Sequence, residues 1–125
     1  MQTEEQHKIT PWLVAERFLD LEAMGGRELV RERLLTANAH LWVSPERDAV
    51  AVTEVSDDNN LNLWSAGGNI ANLLPFLPHV ETFAVGMNCK AVEVPAVEPW
   101  ASVLTDFGYQ RDGDDMVKAL PLVAH

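Results

Sequence analysis

The sequence predicts an α+β fold with a mixed, mostly antiparallel central sheet and helices on both faces. Three observations carry that expectation. Two helical patterns open the chain, and three short strands separated by polar turns follow them; short turns join antiparallel neighbours. A long helical pattern then separates the third strand from a fourth, and a helical crossover sets its two strands parallel. A short helix and a hairpin finish the chain, giving the order α-α-β-β-β-α-β-α-β-β. This order is closer to α+β than to a doubly wound parallel sheet.

Residues 1–10 read as a flexible polar leader and 11–125 as a single domain. Thr10-Pro11 is a helix-start signal, a capping hydroxyl followed by a proline whose missing N–H is not needed at the first helical position. Trp12, Leu13, Ala15, Phe18 and Leu19 recur at helical spacing, and Gly25-Gly26 ends the pattern. A second helix covers 27–37, with Leu29, Val30, Leu34 and Leu35 facing inward. Strands follow at 40–43, 49–55 and 61–65, joined by turns at 44–48 and 57–60. After Gly67-Gly68, Asn69 is placed to cap a helix in which Ile70, Leu73, Leu74, Leu77, Val80, Phe83, Ala84 and Met87 recur every three or four residues. Pro75 and Pro78 interrupt it, and an interior proline costs about 3 kcal/mol, so a kink or break is expected near 75–78. A strand at 90–94 comes next, parallel to the third. A loop at 95–99 leads to a short helix over 100–107, stopped by Gly108. Strands at 109–112 and 116–120 then flank the turn Gly113-Asp114-Asp115.

The 125 residues are 47% hydrophobic, enough for one packed core. No apolar run approaches the roughly 20 residues that span a bilayer, and the N-terminal residues lack a signal peptide's apolar segment. The cytoplasm is therefore the expected compartment, with no membrane partner. Nineteen acidic residues against nine basic give a formal charge of −10, a surface that repels nucleic acid and either serves solubility or suits a basic substrate or partner. The single cysteine, Cys89, excludes an internal disulfide and reads as buried at a helix–strand junction. The four histidines show no ligand spacing, so no metal site is expected.

The stretch from Leu61 to Tyr109 is the most informative. A glycine pair after an apolar strand and before a helix is a device for holding an anion, since small residues admit the ligand and a helix start offers unpaired N–H groups and a positive dipole end; the same pair also fits an ordinary β-to-α turn in which the glycines serve only tight packing. Three local features carry a resemblance. They are Ser65-Ala66-Gly67-Gly68-Asn69 between strand and helix, the strand Cys89-Lys90-Ala91-Val92-Glu93-Val94, and the helix with its ending Trp100-Ala101-Ser102-Val103-Leu104-Thr105-Asp106-Phe107-Gly108-Tyr109. Together with the element order over about residues 12–120, they resemble the GNAT (GCN5-related N-acetyltransferase) superfamily, and small phage-encoded GNAT-like proteins in particular. The resemblance implies that the third and fourth strands splay to admit acetyl-CoA. Trp64, Ser65, Ala66, Gly67, Gly68, Asn69 and Ile70 would hold it, with the pyrophosphate on the amides of the last four.

The family pattern also places a base near the loop and an acid on the short helix. Glu54, on the neighbouring strand, is the candidate base, and Tyr109 is the candidate hydrogen-bond donor. Leu104 occupies the position of the family's usual tyrosine, and no basic residue lies in the loop. Glu93 and Glu98 flank the loop where a substrate amine would enter. Two functions follow from the resemblance. One is acetyl-CoA-dependent N-acetylation of a small-molecule or protein amine. The other is a non-catalytic GNAT-fold phage protein serving in the virion, in assembly or in binding a host protein, located in the host cytoplasm or the virion. Lacking the family's first strand, the chain leaves a sheet edge for a protein partner or a second copy.

Overall fold

The computed structural model describes residues 4–121. Its elements are α1 (Glu4–Phe18), α2 (Arg27–Leu35), β1 (Ala39–Val43), β2 (Ala49–Val55), β3 (Asn60–Gly68), a 3₁₀ helix (Ile70–Phe76), α3 (Leu77–Gly86), β4 (Ala91–Pro95), α4 (Trp100–Thr105), β5 (Gln110–Asp112) and β6 (Asp115–Ala119). The strands form one mixed, mostly antiparallel sheet in the order β1-β2-β3-β4-β6-β5, so the fold class is the expected α+β. The chain separates into two compact units, Met1–Glu54 with Trp64–Phe76, and Val55–Leu63 with Leu77–His125.

The first unit is built on an apolar cluster. Val14, Ala15 and Leu19 come from α1 and the turn after it, Met24 from that turn, Val30 from α2, and Ala39, Val50 and Val52 from the strands; Trp12, Phe18, Leu34, Leu41 and Trp64 pack around them. β1 pairs antiparallel with β2, from Ala39 opposite Glu54 to Val43 opposite Val50. Three expectations change here. Residues 1–3 of the predicted leader lie outside the described residues, and α1 begins at Glu4 with Pro11 inside it rather than starting at Thr10-Pro11. Glu, Gln and Lys before the proline are good helix formers and carry the helix backward past the forfeited hydrogen bond. The helix also stops at Phe18, and tight turns take over: the Met24 and Gly26 N–H groups both donate to the Leu21 carbonyl, at 3.2 and 2.8 Å. Finally, Leu29 and Leu35 are exposed, because α2 is nine residues long and buries the stripe of Val30 and Leu34, four positions apart.

In the second unit, β3 and β4 run parallel as the crossover requires, with Asn60 opposite Ala91, Leu61 opposite Val92 and Asn62 opposite Glu93. β4 pairs antiparallel with β6, and β5 with β6. Leu61, Val92 and Met116 are buried strand residues; Val80 and Ala84 are buried on α3, and Ala101 and Leu104 on α4. The break expected near 75–78 falls between Phe76 and Leu77. Pro75 is the penultimate residue of the 3₁₀ segment and Pro78 sits in the first turn of α3, where its missing N–H costs nothing. Met87, expected inward, lies beyond the end of α3 and is exposed.

Candidate functional site

The glycine pair lies inside β3, which extends to Gly68 instead of ending at Ser65. Backbone crowding explains the extension. A Cβ on Gly67 would collide with the Phe18 carbonyl oxygen and stand 2.9 Å from the Phe18 carbonyl carbon. Gly68 has φ +85°, and a Cβ there would meet the Asp48 carbonyl oxygen and come within 2.9 Å of the Ala49 Cα. Both glycines thus allow close approach of this unit's own backbone. The Asn69 N–H donates to the Asp48 carbonyl at 2.8 Å, and a 3₁₀ helix follows rather than the expected long α-helix.

Asp48 organises the loop. Its Oδ1 accepts the Ser44 hydroxyl at 2.8 Å, and its Oδ2 accepts the side-chain amides of Asn72 at 2.8 Å and Asn69 at 3.4 Å. Ser44 is itself buried, and its Oγ accepts the Asp48 and Ala49 N–H groups, both at 3.1 Å. The Ser44 hydrogen bond, followed by those of the asparagines, holds the Asp48 carboxyl below the usual carboxylate range despite an opposing desolvation. A fixed negative charge therefore sits beside the loop that the GNAT resemblance assigns to a diphosphate.

Glu54 and Trp64 meet at one cation. Arg33 Nη1 lies 3.5 Å from Glu54 Oε2, and its guanidinium carbon stands 5.6 Å from the Trp64 ring centre. The pair is partly exposed, a setting in which an ion pair contributes little stability. Ser65, Ala66 and Ile70 are half-buried, and Gly68 and Asn69 are exposed.

Tyr109 belongs to the second unit and is 2% exposed. Its hydroxyl donates to Glu81 Oε2 at 3.1 Å, while Lys118 Nζ donates to Glu81 Oε1 at 2.8 Å and to the Phe107 carbonyl at 2.9 Å. Burial, and then the Glu81 charge, push the Tyr109 hydroxyl well above its ordinary value of 10. The sign follows directly. In the unfolded chain the phenol loses its proton near pH 10, while the folded protein keeps it, so the unfolded state binds fewer protons and stability falls as pH rises above 10. Absorbance at 295 nm should show no tyrosinate while the protein is folded, and the signal should appear together with loss of near-UV dichroism on alkaline titration. Ionisation at pH 10 in the folded state would contradict the buried hydrogen bond.

The remaining candidates have local partners. Glu93 accepts the Asn60 amide at 2.7 Å, and Glu98 accepts the Ser102 hydroxyl at 2.7 Å with Arg111 at 3.6 Å. Leu104 is buried, as is Cys89, whose thiol burial pushes upward. Among the described residues no group of three or more His, Cys, Asp or Glu is placed to hold a metal, and no helix is long and apolar enough to cross a membrane. Sequence reasoning missed Asp48, Glu81 and Lys118. The Ser44-to-Asp48 spacing within a turn was a usable sign for the first. Comparison with protein-family models, curated proteins and solved structures found no match to the chain.

Proposed function

We propose that the chain is a GNAT-like domain without acyl-transfer chemistry, a phage-type protein that works through its surface in the virion, in assembly or on a host protein. One observation carries this reading. The first amide beyond β3, that of Asn69, is already donated to the Asp48 carbonyl at 2.8 Å, and the Asp48 carboxylate lies beside it, bonded to Asn69 and Asn72. An anion-binding loop needs free amides and positive potential, and this loop has spent an amide and fixed a negative charge. Two further facts support the reading. A buried leucine stands where the resemblance places an acid, and Tyr109 is engaged with Glu81.

N-acetylation of an amine with acetyl-CoA is the second reading, and what supports it is the resemblance of the strand, Gly67-Gly68 and helix order to the GNAT pattern. Isothermal titration of the intact protein with acetyl-CoA separates the two readings. The non-catalytic reading expects no heat of binding and less than about 1 °C change in melting temperature at millimolar cofactor. Saturable binding with a shift of several degrees would restore the transferase.

A further inference from the structure

The two edges of the sheet differ in kind. β5 is three residues long, exposed throughout, and carries Arg111 and Asp112. Short length and charge are the usual guards of an edge strand. β1, at the opposite edge, reads Ala39-His40-Leu41-Trp42-Val43, with no proline, lysine or acidic residue.

The backbone groups of β1 that β2 does not pair follow from the register. The Ser44 N–H donates to the Ala49 carbonyl at 3.0 Å, which makes Ser44 and Ala49 a hydrogen-bonded pair. Antiparallel pairs alternate, so Trp42 opposite Ala51 and His40 opposite Thr53 also bond to β2, whereas Leu41 and Val43 turn their N–H and C=O groups outward.

We infer that β1 pairs with β1 of a second copy of this chain, antiparallel about a two-fold axis at Trp42. In that register Leu41 of each copy meets Val43 of the other, and each such pair exchanges both of its backbone hydrogen bonds. Trp42 then lies opposite its own counterpart in a non-hydrogen-bonded pair, while its indole N–H keeps its bond to the Thr53 hydroxyl of its own chain at 2.9 Å. The arrangement is self-complementary, as a two-fold contact must be, and opposes no like charges along the paired strands. It holds whether or not the chain binds acetyl-CoA. Because each copy carries a formal charge of −10, long-range repulsion opposes the pair, and added salt strengthens it.

Sedimentation of the full chain across concentration, at low and at high salt, tests this together with amide hydrogen exchange. A monomer–dimer equilibrium that tightens with salt is expected. The Leu41 and Val43 amides should exchange freely in dilute solution and be protected about tenfold or more in concentrated solution. Leu41→Pro removes an outward N–H that β2 does not use, and His40→Lys adds an edge guard; each should weaken the dimer about tenfold or more. Circular dichroism reports whether each variant is folded, and the exchange measurement on the unaltered chain stands without them. A monomer up to about 0.5 mM at high salt overturns the inference. So does a dimer in which Leu41 and Val43 stay unprotected, or one that both folded variants leave unchanged.

Discussion

Gly68→Ala is expected to destabilise the protein by about 3 kcal/mol, and Gly67→Ala by a similar amount. At Gly68 two effects combine. The left-handed backbone at φ +85° disfavours a Cβ by about 1–2 kcal/mol, and the new methyl would meet the Asp48 carbonyl and the Ala49 Cα. At Gly67 the obstacle is the Phe18 carbonyl, which belongs to backbone and cannot rotate away as a side chain could. In a domain of this size the loss should appear as a fall in melting temperature of roughly 10 °C. Gly86→Ala is the matched control: a Cβ there meets nothing within 4 Å, and the melting temperature should be nearly unchanged. Equal small effects at all three glycines would mean that the close approach to Phe18 and Asp48 is wrong. For the same reason, a glycine substitution is a poor probe of cofactor binding, since it would unfold the loop it was meant to block.

Lys118→Met should cost about 2–3 kcal/mol, measured by urea denaturation. Lys118 is the donor to both Glu81 Oε1 and the Phe107 carbonyl, and the Glu81 side chain is 16% exposed. Without the ammonium, a shielded carboxylate keeps the Tyr109 hydroxyl as its remaining partner in this network, and the Phe107 carbonyl loses the Lys118 donor. The penalty comes from the groups left behind more than from the ion pair itself. Glu81→Leu combined with Lys118→Met should therefore be less harmful than the sum of the two single changes. A double mutant whose loss equals that sum would show that the two residues act independently. Tyr109→Phe, which keeps the ring and removes one hydrogen bond, should cost about 1 kcal/mol.

Where local chemistry decides an element, the sequence foretold it well. The β-branched run at 49–55 is β2 residue for residue, because alternation and bounding turns leave no helical alternative. Pro75 and Pro78 announced the change from 3₁₀ to α at Phe76 and Leu77, since proline acts on its own backbone. The misreadings arose where a distant partner decides. A glycine pair after a strand looks the same whether it cradles a ligand or lets Phe18 and Asp48 approach, and those residues lie, respectively, 49 positions before Gly67 and 20 before Gly68. Leu29 and Leu35 fit a helical stripe on paper, yet α2 is too short to bury both flanks of it. Asp48 bonds to Asn72 across a separation of 24 residues, and Glu81 bonds to Lys118 across 37. No periodicity encodes such pairings, so the polar core of each unit was illegible, and with it the state of the proposed site.

The contrast between β1 and the short charged β5 limits how far edge association can travel. Lengthening a row of molecules strand against strand demands two sticky borders on every member, one to receive and one to offer. Here the far border is three exposed residues carrying both signs of charge, so whatever docks on β1 finds no matching template on the other side. Association through the sheet is self-terminating, which spares an apolar, uncharged edge from seeding fibres.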